Sequence, residues 1–188
     1  MKKNNGFTLI EIAIVMVIIG LLLGGVLKGQ ELIVQARIKN IINDFNGIAS
    51  AVYSYQERYR AYPGDDAKAT RWAGVGAGNG NGVLESGESS LFWQHLRESG
   101  FLIGSGDAAP PHAENGVFTV INNASGLAGW VLCAQNLSGK VAQAIDTQLD
   151  DGQAGKDLVR AYSDTSAKTA VTQYSEDEST LYTLCRKF

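Results

Sequence analysis

Residues 7–27, FTLIEIAIVMVIIGLLLGGVL, decide how this chain is read. About 21 residues at 1.5 Å per residue cover roughly 30 Å, the hydrocarbon thickness of a bilayer. Ahead of them stands MKKNNG, with Lys2 and Lys3 on the side that the positive-inside bias keeps in the cytoplasm. A secretory signal peptide would show a shorter apolar core and a small-residue cut site behind it. Here the run is long and passes into a helical pattern instead. One residue interrupts it. Glu11 lies in the first turns of the span, where an ionisable group is costly and calls for a partner. No Lys, Arg or His follows before Lys28, so the partner is expected from outside the span. The free α-amino group created by a cut before Phe7, its own or a neighbour's, is such a cation.

Past Leu27 the pattern changes. Ile38, Ile41, Phe45, Ile48, Val52, Tyr55 and Tyr59 recur every three or four residues, one stripe of an amphipathic helix. Pro63 and Gly64 end it. Tyr53, Tyr55, Tyr59 and Tyr62 are expected to pack where this helix meets the head rather than to carry electrons.

The head reads as mixed. Residues 90–99 form a short amphipathic helix stopped by Gly100, and 141–149 a second one before an Asp150-Asp151-Gly152 turn. Strands are expected at 117–121, 130–134, 158–162 and 180–185, with an Asn-Asn…Gly turn region between the first two. Residues 74–82 and 163–179 read as long surface loops. Beyond Arg60 acids outnumber bases, which argues against nucleic acid as a partner. His95, His112 and the serines fall in no catalytic or ligand pattern, so no enzyme is expected.

The string GFTLIE at residues 6–11, behind a short basic leader, resembles the cleavage and methylation motif of type IV prepilins and type II secretion pseudopilins. The resemblance implies a prepilin peptidase and methyltransferase that cuts between Gly6 and Phe7 and methylates the new Phe7 terminus. It implies that Glu11 acts in assembly and that the partners are further copies of the chain, other pilins and the inner-membrane assembly machinery. The expected place is the inner membrane as a single pass, then an extracellular filament or a periplasmic pseudopilus, in a Gram-negative-type bacterium. The expected function is a structural subunit of a type IV pilus. The alternative is a secretion pseudopilin, or a minor or tip pilin acting as a binding module. Many pilins carry a proline at the position of Lys28, so this helix is expected to lack that break. Gly20, Gly24 and Gly25 are left as weak points or close-packing sites.

The fold class that follows is α+β, pilin-like: a long N-terminal helix, transmembrane then amphipathic, packed on an antiparallel sheet head. The chain divides into a leader (1–6), a membrane and polymerisation helix (7–27), an amphipathic helix (28–60) and a head (61–188). Cys133 and Cys185 are the two cysteines. In an exported protein they would pair, and the resemblance makes them the disulfide that closes the C-terminal loop of pilins, with free or metal-binding thiols as the alternative.

One loop has a cofactor reading. Counted from Ala77, AGNGNGVLESGE places Asn79, Asn81, the Val83 carbonyl and Glu88 at ligand positions of an EF-hand-like calcium loop. Ala77 stands where the first carboxylate belongs, with Asp65 or Asp66 as a substitute. The competing reading is a glycine-rich turn with no ion, and no other cofactor is expected.

Overall fold

The computed structural model describes residues 8–85, 87–163, 169–175 and 179–188. The chain divides into two compact units, Met1–Ala36 and Arg37–Phe188. Helix α1 (Leu9–Tyr59) runs through both without the proline break, as Lys28 predicts.

In the first unit α1 is exposed on every side. Leu9, Ile10, Met16, Leu21 and Leu27 are all more than 60 % exposed, and no side chain from Thr8 to Ala36 is buried. This is the one helix, among the described residues, long and apolar enough to cross a membrane. A Cβ built on Gly20, Gly24, Gly25 or Gly29 would meet nothing within 4 Å, so no contact among the described residues accounts for these glycines.

In the second unit the stripe is buried as its period requires: Ile38, Ile41, Phe45, Ile48, Ala51, Val52 and Tyr55. It joins α2 (Glu88–Glu98) and a four-stranded antiparallel sheet of β1 (Phe118–Ala124), β2 (Leu127–Ser138), β3 (Val159–Ser163) and β4 (Leu181–Lys187). The strand order is β1-β2-β4-β3. Residues two apart in a strand share a face. Phe118 and Val120, with Trp130, Leu132 and Ala134, accordingly belong to the helix-side core, where Phe45 meets Phe118 edge-on at 5.1 Å. Val131, Cys133, Tyr162 and Cys185 form a smaller cluster on the opposite face. Helix α3 (Gly139–Leu149) adds Val141, Ala142 and Ile145 to the main core.

The structure lengthens both hairpin strands. Asn122 and Asn123 lie within β1, where a register shift between Asn122 and Ala124 marks a bulge. The turn is Ser125-Gly126, both at positive φ (53° and 76°), the geometry of a tight two-residue hairpin. Strand β2 runs four residues past Ala134 because, beyond a register shift at Gln135 and Asn136, Leu137, which is buried, and Ser138 pair again with β4. Gly100 stops α2 at φ 79°, as expected. Of the four tyrosines, Tyr55 is buried, Tyr59 and Tyr62 are half-buried, and Tyr53 is 54 % exposed and does not pack.

Cys133 and Cys185 form a disulfide between directly opposed residues of β2 and β4. Cys133 lies inside β2, not at a strand end as the sequence suggested. The bridge spans a sequence separation of 52, for which loop entropy assigns about 4 kcal/mol. Replacing both cysteines with alanine should therefore lower unfolding stability by about that amount, read from denaturant melts. A change below a quarter of it would mean that β2–β4 pairing already fixes the loop.

Candidate functional site

Three places carry the predicted site residues. The first is the start of α1. The cut and methylation position, Gly6 and Phe7, lies outside the described residues. Glu11 is described, and it is not alone. Its Oε2 accepts hydrogen bonds from the Thr8 backbone N–H at 2.7 Å and the Thr8 hydroxyl at 2.8 Å. The Glu11 N–H donates to Thr8 Oγ1 at 3.3 Å. Thr8-x-x-Glu11 is thus a capping box, which satisfies otherwise orphaned donors at a helix start. The reading that Glu11 has no partner in its own span is corrected on this point. Thr8 fixes one carboxylate oxygen, and no bond reaches Oε1 among the described residues. The box was visible in the sequence as a threonine three residues before a glutamate.

The second place is the disulfide on the far face of the sheet. The third is the glycine-rich loop. Here the chain wraps a carboxylate. Asp65 is 3 % exposed and accepts backbone N–H bonds from Gly80 (2.7 Å) and Asn81 (3.0 Å) on Oδ1, and from Gly82 (2.7 Å) on Oδ2. Glu88 accepts the N–H groups of Asn79 and Glu85 at 3.0 and 2.9 Å. Asn79 Oδ1 takes the Asn81 N–H, and Asn81 Oδ1 takes the Val83 N–H. Both asparagine amides donate to Glu85. The loop closes on Asp65 through the N–H groups of Gly80, Asn81 and Gly82, while Asn79 is tied to Glu88 and Val83 to Asn81. The structure adds Glu85, which the sequence reading omitted although it stands between them. These bonds satisfy the acceptors from inside the loop. Gly78 has no alternative here, because a Cβ would fall on the Gly64 carbonyl and the Asp65 backbone.

The loop is tied to the core at two further points. Trp130 Nε1–H donates to the Gly82 carbonyl at 3.0 Å. The His95 ring, fully buried, accepts the Gly64 N–H on Nδ1 at 2.9 Å, so its Nε2–H donates to the Gly76 carbonyl at 2.8 Å. Burial lowers the His95 pKa, against the pull of the Gly76 carbonyl and the Asp66 charge. Asp66 does not join the loop. Burial opposes its charge, but hydrogen bonds from Arg71, Tyr55 and the Lys68 N–H outweigh that and hold its pKa below the usual range. Its bonds to Tyr55 (2.7 Å) and Arg71 (2.8 Å) brace the end of α1. His112 follows the same logic as His95, with Nδ1 accepting the Glu114 N–H and Nε2–H donating to the Gln135 carbonyl. Both histidines are structural.

Among the described residues, one N-terminal helix long and apolar enough to cross a membrane and a disulfide-stapled α+β head make a pilin-like fold. Residues 1–27 match the Prokaryotic N-terminal methylation motif, the prepilin-type motif of type IV pilins and pseudopilins, a family of structural proteins. No curated protein and no solved structure matches the sequence.

Two measurements check the loop. Asp65→Asn puts an NH2 where a second acceptor oxygen is needed, and should cost about 2 kcal/mol in denaturant melts. His95 is held neutral in the fold, so its contribution is complete above the ordinary histidine value of about 6.5 and is lost as pH falls towards its lower folded value. The stability gap between wild type and His95→Leu should narrow when melts at about pH 7.5 are repeated at about pH 5.

Proposed function

We propose that the chain is a prepilin: a structural subunit cut by prepilin peptidase between Gly6 and Phe7, methylated at Phe7 and polymerised through α1 into a type IV pilus. The observation that carries this is the junction of a prepilin motif with a helix that is exposed and apolar on all sides from Leu9 to Leu27. Such a surface demands lipid or other apolar helices. Before assembly it lies in the inner membrane, and in the filament it lies against further copies of α1 or other pilins. The unfilled space at Gly20, Gly24, Gly25 and Gly29 suits that second state, where small residues let helices approach closely.

Glu11 fits the same reading. After the cut Thr8 would be the second residue, and the capping box survives. Oε2 would stay engaged with Thr8, which leaves Oε1 for the methylated terminus of a neighbour. That pairing would set the axial register of one copy on the next, because a buried carboxylate tolerates little displacement from its cation. The organism is expected to be of Gram-negative type, with the assembly machinery in its inner membrane.

The uninterrupted α1 favours a second reading within the same class. Lys28 replaces the proline that breaks many pilin helices, so the subunit suits a periplasmic pseudopilus or a minor position as well. Shearing cells separates them: a major pilin dominates the sheared fraction, and a pseudopilin or minor subunit does not.

The N-terminus tests the class. Mass spectrometry of the native protein should find N-methyl-Phe7 as the first residue. Glu11→Ala should insert into the membrane at normal levels yet leave the filament fraction at least tenfold depleted. A mature chain beginning at Met1, or normal filaments from Glu11→Ala, would end this reading.

A further inference from the structure

We propose that the turn leaving α3 is a calcium site formed by Asp146, Asp150 and Asp151. One carboxylate oxygen of each lies within 4.8 Å of the other two. Ligand oxygens at about 2.4 Å from one calcium ion stand at most about 5 Å apart, so the three can share an ion.

Proximity of acids is common on protein surfaces and decides nothing alone. Asp146 supplies the second observation. It is wholly buried, and its Oδ1 has no hydrogen-bond partner among the described residues. Its Oδ2 accepts the Tyr174 hydroxyl at 2.7 Å. The Gly152 N–H lies near the carboxylate and favours its charged form. Buried polar atoms in native proteins nearly always have a partner, and a bare carboxylate oxygen is among the costlier exceptions. A cation between the three carboxylates gives Oδ1 that partner.

The other two ligands are aimed in advance. Asp150 Oδ2 accepts the Leu158 and Val159 N–H groups at 2.7 and 2.9 Å. Asp151 Oδ1 accepts the Gln153 N–H at 2.8 Å. Each of these two carboxylates is thus held in place through one oxygen. No salt bridge reaches any of the three among the described residues. Oxygen-only donors with three negative charges select a hard divalent cation. The outer rim is open: Asp151 is exposed and Asp150 half-buried, which leaves room for coordinating waters. Irregular coordination completed by water suits calcium better than magnesium, which demands a near-ideal octahedron.

The site would join three parts of the head. Asp146 belongs to α3, Asp150 holds the start of β3, and Tyr174 lies in the segment before β4. Binding in the range of extracellular modules, about 10⁻⁴–10⁻³ M, is expected.

The test uses the full chain in detergent micelles, stripped with chelator and then titrated with calcium chloride or magnesium chloride. Saturating calcium should raise Tm by about 5 °C over chelator, and magnesium should raise it less. Isothermal titration should show at least tenfold weaker calcium binding in Asp146→Asn and in Asp151→Asn. The second variant lies on the surface and keeps an oxygen for the Gln153 N–H, so it leaves the fold in place. Absence of calcium binding to the wild type overturns the proposal. So does unchanged affinity in both variants, which would put the ion elsewhere, the 79–88 loop included. A magnesium shift equal to that of calcium overturns the choice of ion.

Discussion

The packing of Phe45 and its neighbours on α1 against Phe118 and the inner face of the sheet is the contact on which the head depends. A sheet of four strands cannot bury its own face, and an amphipathic helix cannot bury its own stripe. Each supplies what the other lacks. The alternation along β1 and β2 sends Phe118, Val120, Leu132 and Ala134 to the helix side. Around that layer α2 adds Phe92 and Leu96 and α3 adds Val141 and Ile145 to the core, and Trp130 and His95 hold the glycine-rich loop by the Gly82 and Gly76 carbonyls. Before Arg37 the side chains of the same helix are exposed among the described residues. One element therefore carries two solutions to apolar exposure, one satisfied within the protein and one that only a bilayer or other subunits can satisfy.

The legible part of the fold was the part written in short periods. The stripe from Ile38 to Tyr55 repeats every three or four residues, and the structure buries it almost residue for residue. Strand cores with alternating apolar residues were found for the same reason. The short period is lost where polar residues enter a strand. Asn122 and Asn123 look like a turn, but a bulge lets β1 carry them, and the actual turn needs only Ser125 and Gly126 at positive φ. Tyr53 looked like a packing residue because of its neighbours in the chain, yet it points off the stripe that the helical period defines.

The site was legible to the extent that its partners are close in sequence. Thr8 and Glu11 stand three apart and make a capping box that a local scan can find. Asn79, Asn81, Val83 and Glu88 sit in one window and are linked by bonds within the loop. Asp65, on which the loop closes, comes from another stretch, and only the fold shows that three successive N–H groups converge on it. Asp150 and Asp151 read as an ordinary turn. What sets them apart is Asp146 one turn of helix earlier, buried with Tyr174 from a later segment, and no local pattern announces burial.

The covalent link between β2 and β4 has a mechanical side. A chain loaded in tension from its helical end lengthens only by the segments free to pay out. The bridge encloses a sequence separation of 52, which would contribute about 180 Å of extended contour if it could unravel. With Cys133 joined to Cys185, that slack is withheld, and a pull shared between the two strands is borne by a covalent bond instead of by their ladder of hydrogen bonds. Under force the head could yield elsewhere while β2 and β4 stay joined.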